Sequence, residues 1–455
     1  MTAMPDFGRM LPDLRTSIPG PHSRSLAAEL ARYESPNVTY LADDFPIFWE
    51  EARGANVRDV DGNVFVDLTA AFAVAAAGHG HPDIVRAITE QAGRLVHGMG
   101  DVHPPAIKVE LLRRLAEVAP GGLNRSVLAN SGAEAVEAAL KTMMMATGRS
   151  RVLAFERSYH GLTLGSLAVS GREDFRRPFA DQLASTAVLA PFPRGVAGDP
   201  AEDAARGKAA LAEVVRRLDE AEMSGAPVGG ILAEPVQGRG GDIVPPASFL
   251  PGLRRICDER GILLILDEIY TGFGRTGRWF ACEHWGVVPD LIVVGKALTG
   301  GMPFAACIGT DAVMGAWPRS TGEALHTSTF LGHPLGCAAA LASIEVIRRE
   351  GLVERAATEG AYALGRLRET LRDVPGVAEV RGLGLMIGIE LVDPVTGDPD
   401  GARAGRVVTG ALRRGVLVLS GGVSGNVMSI SPPLAIEREL LRHGLAVVAE
   451  NLGST

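Results

Sequence analysis

The sequence predicts an α/β fold with a large, mostly parallel sheet and a smaller α+β domain. Short aliphatic runs recur along the chain, and each of them ends in a charged or polar residue. Such unbroken runs are typical of strands that are covered on both faces of a parallel sheet. Amphipathic stretches between the runs indicate repeated β-α units. From about Gly376 the pattern changes to short strands and helices, which indicates the smaller domain.

Each element is predicted from its own local pattern. Alternating apolar and polar residues at 47–68, around the turn at 61–63, predict a hairpin or small meander. Pro82 opens an amphipathic helix, and Ser131 with Glu134 forms a capping box at the start of another. The predicted strands are 127–129, 151–155, 229–233, 262–266, 291–294, 388–392 and 416–419. The predicted helices are 83–95, 131–147, 199–223, 249–260, a long helix from about 334, 403–413 and 437–450, and residues 1 to about 35 predict an irregular or partly helical arm.

Composition and charge limit the classes of partner. The chain has 455 residues, 46% of them hydrophobic, which is enough for a large core in a main domain plus a smaller one. A net charge of −8 without a run of basic residues gives no electrostatic footprint for nucleic acid or for an anionic membrane. We therefore expect small-molecule partners.

Several features favour a cytoplasmic protein without a metal site. The N-terminus has no apolar stretch of signal-peptide length, and no segment approaches the length of a membrane-spanning helix. His79 and His81 flank Gly80 without an evident third ligand, so we predict histidines that stabilise a turn or cap a helix, and no metal. Cysteines occur singly, which favours reduced thiols in the core; they are Cys257, Cys282, Cys307 and Cys337.

Two neighbouring predicted strands end in groups that a buried strand should not carry. The strand at 262–266 is closed by Asp267, and the strand at 291–294 is followed by Gly295 and Lys296. Ligands of doubly wound sheets bind beyond the carboxyl ends of the strands, so this carboxylate and this amine should face one ligand. The capped helix that begins at Ser131 offers free amides and a positive dipole end, which suit a phosphate.

Two nucleotide-binding motifs are present only in part. Residues 272–277 read Gly-x-Gly-x-x-Gly after a strand, but the helix and the later acidic residue of a dinucleotide site do not follow. Gly295 and Lys296 lack the glycine spacing and the following Ser or Thr of a P-loop. Both interpretations are therefore disfavoured.

Pyridoxal phosphate (PLP) accounts for the groups at the strand ends. It needs a lysine for a Schiff base, an acidic partner for its pyridine nitrogen and a cradle for its phosphate. Asp267 would raise the pKa of the pyridinium by charge pairing. Lys296, at the mouth of an apolar strand, would have its pKa lowered by burial and act as a nucleophile and then as a base.

With these residues the chain resembles the class-III aminotransferases, PLP enzymes of fold type I that include ornithine, acetylornithine and 4-aminobutyrate aminotransferases. The resemblance runs from about residue 46 to residue 433 and rests on segments at 78–82, 130–135, 159–161, 234–238, 267–268, 272–277, 289–290 and 295–297. It implies a large PLP-binding domain at 71–330. The small domain would combine both termini: an arm and segment at 1–70 and a C-terminal part at 331–455.

The resemblance also implies the residues of the site. Lys296 would be the Schiff-base lysine and Asp267 the partner of the pyridine nitrogen. The other implied cofactor residues are Ser131, Gly132 and Ala133 at the phosphate, Tyr159 stacked on the ring with His160 next to it, Ile269 on the opposite face, Tyr270 and Glu234. Thr329 would reach the phosphate of a neighbouring subunit, which implies a homodimer with shared active sites.

The departures from the family concern the substrate. Many relatives have glutamine where this chain has Tyr270, and a phenol could still bond to the ring hydroxyl of the cofactor. Relatives that use glutamate or 2-oxoglutarate commonly have an arginine at the position of Ser429, where it grips a carboxylate. Glu234 would then lack its usual partner and either favour a cationic substrate or be held by another base such as Arg239. Arg239 replaces a glutamate of many relatives and is either a carboxylate ligand or a surface arginine.

Three functions are compatible with the sequence. The favoured one is a PLP-dependent aminotransferase that moves an amino group from an amine or amino acid to a 2-oxo acid. A racemase or epimerase on the same scaffold is the alternative, because the arginine for the second carboxylate is missing. A non-enzymatic binding or scaffold protein is disfavoured by the presence of Lys296, Asp267 and Ser131.

Overall fold

A computed structural model describes residues 7–454 of the chain, so the first six residues of the predicted N-terminal arm lie outside the described residues. The chain divides into two compact units. The larger unit comprises residues 83–354, and the smaller unit combines the chain up to Pro82 with the chain from Arg355. The boundaries expected from the sequence, at residues 70 and 330, both lie earlier in the chain.

The strands and helices are numbered in chain order. The strands are β1 (Trp49–Arg53), β2 (Asn56–Asp59), β3 (Val64–Asp67), β4 (Leu123–Ala129), β5 (Arg151–Phe155), β6 (Ala187–Ala190), β7 (Val228–Ala233), β8 (Leu263–Asp267), β9 (Leu291–Val294), β10 (Ala305–Thr310), β11 (Val377–Leu383), β12 (Met386–Leu391), β13 (Val416–Leu417), β14 (Leu419–Gly421) and β15 (Val427–Ile430). The helices are α1 (Pro21–Tyr33), α2 (Ala70–Ala73), α3 (Pro82–Arg94), α4 (Ala106–Val118), α5 (Gly132–Thr147), α6 (Leu164–Val169), α7 (Glu173–Arg176), α8 (Pro200–Met223), α9 (Phe249–Arg260), α10 (Asp311–Met314), α11 (Pro334–Arg349), α12 (Leu352–Leu371), α13 (Gly401–Leu412) and α14 (Arg438–Ser454).

The larger unit is built on a seven-stranded sheet in the order β4-β10-β9-β8-β7-β5-β6. The pairs from β9 to β6 are parallel, whereas β10 runs antiparallel to both β9 and β4. The predicted mostly parallel sheet is therefore confirmed. Because β10 reverses direction between its neighbours, β4 and β9 point the same way, and the strands β4, β5, β7, β8 and β9 all end at one edge of the sheet.

Helix α5 packs on this sheet through small side chains. Ala135, Ala138 and Ala139 are fully buried in a core cluster with residues of β9 and β10. Alanine lets the helix axis approach the sheet closely, and it also has the highest intrinsic helix propensity. The position of the helix N-terminus is thus fixed by dense packing along the body of the helix.

The smaller unit contains two four-stranded sheets, in the orders β1-β2-β3-β13 and β11-β12-β15-β14. The meander β1–β3 corresponds to the alternating pattern at 47–68. After it, the four residues of α2 have positive φ, so this turn is left-handed. His79 Nε2 lies 2.8 Å from Asp67 Oδ2, which agrees with the predicted role of this histidine in stabilising a turn.

The four cysteines are buried and unpaired, as predicted. Burial raises the pKa of Cys307 to about 12, and it raises the pKa of Cys337 to the same value. Thiols with such pKa values carry almost no thiolate at neutral pH and are inert. Within residues 7–454, no helix combines the length and the apolar composition needed to cross a membrane.

Two glycines of helix α12 give a matched test of the packing. A Cβ at Gly360 would overlap the backbone of Gly384, whereas a Cβ at Gly365 would meet no atom within 4 Å. Gly360→Ala should therefore destabilise the protein by about 1–3 kcal/mol through overpacking. Gly365→Ala should stabilise it by about 0.4–1 kcal/mol, because alanine costs less backbone entropy in a helix. Thermal denaturation followed by circular dichroism compares the two, and equal shifts would contradict the close contact at Gly360.

Candidate active site

A cavity of about 330 Å³ opens at the edge of the sheet where the parallel strands end. Nearly all of the residues predicted for the site line it. They are Ser131, Gly132, Ala133, Tyr159, His160, Glu234, Asp267, Ile269, Tyr270 and Lys296. The cavity also includes Arg239, together with Gly161, Leu162 and Gly238, to which the sequence assigned no role.

Strand pairing brings the charged residues together. Ala233 of β7 pairs with Leu266 of β8, so Glu234 and Asp267 follow side by side. Asp267 in turn pairs with Val293 of β9, three residues before Lys296. Because the three strands are parallel and in register, two carboxylates and one amine converge on the same cavity.

Asp267 is held in place from two sides. Its Oδ2 lies 2.7 Å from Nδ1 of His160, and its Oδ1 accepts a hydrogen bond of 3.0 Å from the amide of Ile269. An ionised carboxylate can only accept, so Nδ1 of the imidazole donates the proton in this bond. Both side chains are buried, with 4% of Asp267 and 1% of His160 exposed. The arrangement fixes the carboxylate of Asp267 in the lining of the cavity.

Lys296 has a rare backbone conformation and a lowered side-chain pKa. Its φ is 43°, in the left-handed region that non-glycine residues rarely occupy, and such strain is found most often at functional sites. Burial lowers the pKa of Lys296 to about 8, while the charges of Asp267 and Glu234 oppose this change. The amine therefore holds a substantial neutral fraction near physiological pH, which a nucleophile or base requires. Its Nζ lies 4.5 Å from the centroid of the Tyr270 ring.

Glu234 joins two neighbouring loops. Its Oε1 accepts from the amide of Tyr159 and its Oε2 from the amide of Gly238, each at 3.0 Å. Burial raises the pKa of Glu234 to about 7, and the nearby Asp267 charge adds to this effect. Glu234 thus has two backbone amide donors in place of the arginine that the family pattern implies. Neither oxygen is bonded to Arg239.

The start of helix α5 also lines the cavity. The Ser131 hydroxyl accepts from the amide of Glu134 at 3.2 Å, which confirms the predicted N-cap. The Glu134 carboxylate reaches back to the amide of Asn130 at 2.8 Å. The amides of Gly132 and Ala133 occupy the first two helical positions, where a helix has no internal acceptors. They are available to an anion, and the helix dipole favours one there.

The glycines of the cavity make room for its aromatic and aliphatic walls. A Cβ at Gly132 would lie 2.7 Å from Cδ1 of Ile269, and a Cβ at Gly238 would lie 2.5 Å from the Tyr270 ring. Gly238 and Gly161 belong to sequence motifs of the chain, and their roles become visible only once the loops are folded. Leu162 gave no sequence signal at all, since it is an ordinary apolar residue in a loop.

Two residues singled out in the sequence, Thr329 and Ser429, lie elsewhere. Thr329 is an exposed residue of a turn in the larger unit and does not line the cavity. The preceding Ser328 Oγ accepts from Nδ2 of Asn130 at 3.1 Å, so this turn lies beside the start of α5. Ser429 belongs to β15 of the smaller unit, where it pairs with Gly388 and Leu419.

The glycine-rich segment 272–277 is a structural loop next to the strand end. The buried carboxylate of Glu268 accepts from the amides of Ala281 and Cys282 and from the hydroxyl of Thr271. A short 3-10 helix, Ala281–Trp285, follows the loop where a dinucleotide site would have an α-helix. The Gly-x-Gly-x-x-Gly pattern therefore does not form a dinucleotide site.

Comparison with known proteins identifies the same family over most of the chain. The family model described as aminotransferase class-III matches residues 39–452. The chain is 40% identical to the acetylornithine aminotransferase of Methanothermobacter thermautotrophicus, over 87% of this chain and 90% of that protein. It is 37% identical to the 4-aminobutyrate aminotransferase of Mycobacterium leprae, over 97% and 98% of the two chains.

A solved structure agrees in fold. The PLP-bound amine transaminase of an uncultivated Pseudomonas species superposes with a TM-score of 0.84 at 30% identity, over 93% of this chain and 98% of that chain. All three proteins are named as aminotransferases or transaminases, so these comparisons do not support the alternative of a racemase or epimerase.

The raised pKa of Glu234 predicts a particular pH dependence of stability. In the unfolded chain the carboxyl loses its proton near its usual pKa of 4.5, whereas the folded protein holds the proton up to about 7. The folded state is therefore penalised progressively as the pH rises from about 4.5 to about 7, by about 3 kcal/mol at most. Glu234→Gln removes this titration but keeps the size of the side chain.

The measurement is the difference in melting temperature between Glu234→Gln and the wild type, recorded at several pH values without added ligand. Loss of an acceptor in the glutamine variant adds an offset that does not depend on pH. We expect the difference to move in favour of the variant between pH 4.5 and 7 and to level off above that range. A difference that stays constant across the range contradicts the buried, proton-holding Glu234.

Proposed function

Because the chain belongs to the class-III aminotransferase family, we propose that its cavity holds PLP and that the enzyme transfers an amino group from an amine or amino acid to a 2-oxo acid. The observation that carries this proposal is the convergence of Asp267 and Lys296 from neighbouring strand ends on a cavity that also contains the start of α5. Three separate requirements of one cofactor are thus met at a single place.

The residues of the cavity fit the cofactor chemically. The hydroxyl of Ser131 and the amides of Gly132 and Ala133 provide neutral donors at a positive helix end, which suits the phosphate. Gly132 is also a position where any side chain would collide with Ile269, so the backbone can approach a ligand closely. Asp267 supplies a buried acceptor for the ring nitrogen, and Lys296 supplies an amine of lowered pKa.

Bound PLP supplies an aldehyde that reacts with amines and a pyridinium ring that withdraws electrons from the carbon being deprotonated. Asp267 would stabilise a proton on the ring nitrogen, and His160 orients Asp267 for this role through the 2.7 Å bond. Lys296 Nζ would take the proton from the substrate carbon, hold it and give it up again. Its pKa of about 8 lets it give and accept that proton near neutral pH.

Other residues position and enclose the reactants. We propose that Tyr159 stacks on one face of the ring and that Ile269 packs on the other. Tyr270 takes the place of a glutamine found in many relatives, and its phenol would serve the ring hydroxyl. The closeness of Lys296 Nζ to the Tyr270 ring supports a role for this ring in placing the amine.

We further propose a homodimer in which Thr329 reaches the phosphate held by a second copy of the chain. The proposal is supported by the exposure of Thr329 and by its absence from the lining of the cavity in its own chain. A cytoplasmic location is also proposed, and the four buried, free cysteines support it.

Lys296→Ala tests the central role in this proposal. The chain has only four lysines, at positions 108, 141, 208 and 296, and Lys296 is the one that lines the cavity. Borohydride reduction of the PLP-loaded wild type should leave a pyridoxyl group on the peptide that contains Lys296. In the variant this label should be absent, and transfer of ¹⁵N from a labelled amino donor should slow by at least about a hundredfold, because the base is lost. Mass spectrometry measures both the labelled peptide and the ¹⁵N product.

Lys208→Ala is the matched control, since this exposed lysine lies on helix α8 away from the cavity. It should retain the label on Lys296 and the wild-type rate of ¹⁵N transfer. A pyridoxyl group found on another lysine, or a Lys296→Ala variant as active as the wild type, would remove the basis of the proposal.

A further inference from the structure

An amino-acid substrate brings a carboxylate into the cavity, and that carboxylate needs a cationic partner. Of the described residues that line the cavity, two carry a full positive charge as lysine or arginine: Lys296 and Arg239. Lys296 is already assigned to the reacting amine. Arg239 is therefore the group in the cavity whose charge has no use in the mechanism so far.

The guanidinium of Arg239 is held by aromatic rings. It lies 4.8 Å from the centroid of the Tyr159 ring and 5.5 Å from that of Phe175, and these two rings meet edge to face at 5.9 Å. Stacking engages the flat face of a guanidinium and leaves its N–H edge free for hydrogen bonds. That edge matches a carboxylate in a two-point contact. The side chain is thus oriented although it is exposed.

The backbone that carries Arg239 is fixed on both sides. The amide of Gly238 donates to Glu234, and the carbonyl of Arg239 accepts a hydrogen bond of 3.0 Å from Nη1 of Arg172. Arg172 is itself held by Asp174 through two bonds of 2.9 and 2.7 Å. These bonds hold the backbone at Arg239 in place.

No acidic side chain in the described part of the chain competes for this guanidinium. Among residues 7–454, no carboxylate lies within ion-pair distance of Arg239, and both oxygens of Glu234 are bonded to backbone amides. The positive charge of Arg239 nevertheless acts on the reacting amine, because it helps to lower the pKa of Lys296. The two cations line the same cavity of about 330 Å³ and share one electrostatic environment, which favours an anionic ligand.

We propose that Arg239 binds the carboxylate of the substrate and makes the enzyme selective for amino acids and 2-oxo acids over simple amines. The proposal rests on the proposed function and assigns to Arg239 a task that Ser429 cannot perform, since serine carries no charge. Arg239 thereby determines substrate specificity. The sequence alone left open whether it is a carboxylate ligand or a surface arginine.

The test uses the PLP-loaded enzyme and the variants Arg239→Gln and Arg239→Lys. Isothermal titration calorimetry with pentanoate and glutarate, which cannot react, measures carboxylate binding directly. Arg239→Gln should weaken binding of these acids by about ten- to a hundredfold, the usual range for a lost charged hydrogen bond. Arg239→Lys should recover part of the loss, because lysine keeps the charge but not the two-point contact.

Steady-state kinetics with matched donors supplies the second readout. 4-Aminobutyrate and butylamine differ only by the carboxylate, and alanine and ethylamine form a second pair. In Arg239→Gln the preference in kcat/KM for the carboxylate-bearing donor should fall by a similar factor, mainly through KM, since the contact is made before the chemical step. Arg32→Gln is the control: Arg32 is also exposed and lies 5.6 Å from the Tyr33 ring centroid, but on helix α1.

Affinity of the protein for PLP separates the substrate carboxylate from the cofactor phosphate. We expect Arg239→Gln to bind PLP within about twofold of the wild type. Weaker PLP binding with unchanged donor preference would show that Arg239 serves the phosphate and would overturn the proposal. So would a wild type that binds neither acid, or an Arg239→Gln variant that binds both as well as the wild type does.

The two proposals fail in different ways. If the wild type transfers no amino group from any donor, the proposed function is wrong, whereas the calorimetric comparison of Arg239→Gln with the wild type still decides whether Arg239 binds a carboxylate. If transfer occurs but donor preference and acid binding do not depend on Arg239, only the role of Arg239 is wrong.

Discussion

The parallel register of β7, β8 and β9 is the constraint on which the rest of the site depends. It places Glu234, Asp267 and Lys296 at consecutive strand ends, within a few residues of paired positions. Backbone hydrogen bonds of a central, buried sheet are among the least mobile parts of a protein. Side chains at strand ends therefore inherit a fixed position, while the loops that carry Tyr159 and Arg239 are tied to them through Glu234.

Burial shifts the pKa values of Glu234 and Lys296 into a range suited to proton transfer. Taking ionisable groups out of water disfavours their charged forms, which raises the pKa of Glu234 to about 7 and lowers that of Lys296 to about 8. Both groups can thus gain or lose a proton at little cost near neutral pH. The same burial costs folding free energy, which the packing of α5 and the amide bonds to Glu234 help to offset. Burial therefore both shifts the pKa values of these two groups toward neutral pH and lowers the stability of the folded state.

Sequence reasoning was strongest where chemistry and backbone periodicity coincide. Aliphatic runs closed by Asp267 and Lys296 predicted the parallel sheet, and Ser131 with Glu134 predicted the helix start, because caps and strand ends are local. Strands β6 and β10 were missed, since short runs with small residues carry little periodic signal. The surroundings of Arg239 were beyond prediction as well: its partners Phe175 and Arg172 lie more than sixty residues away in the sequence and gave no signal of proximity.

The most direct test concerns the proton that Asp267 is proposed to hold on the cofactor. PLP labelled with ¹⁵N at the ring nitrogen can be loaded into the wild type and into Asp267→Asn, and the ¹⁵N chemical shift reports whether this nitrogen is protonated. We predict a protonated ring nitrogen in the wild type and an unprotonated one in the variant, since asparagine carries no charge to stabilise the pyridinium. An unprotonated nitrogen in the wild type, or a protonated one that survives Asp267→Asn, would contradict the central role of the strand-end carboxylate.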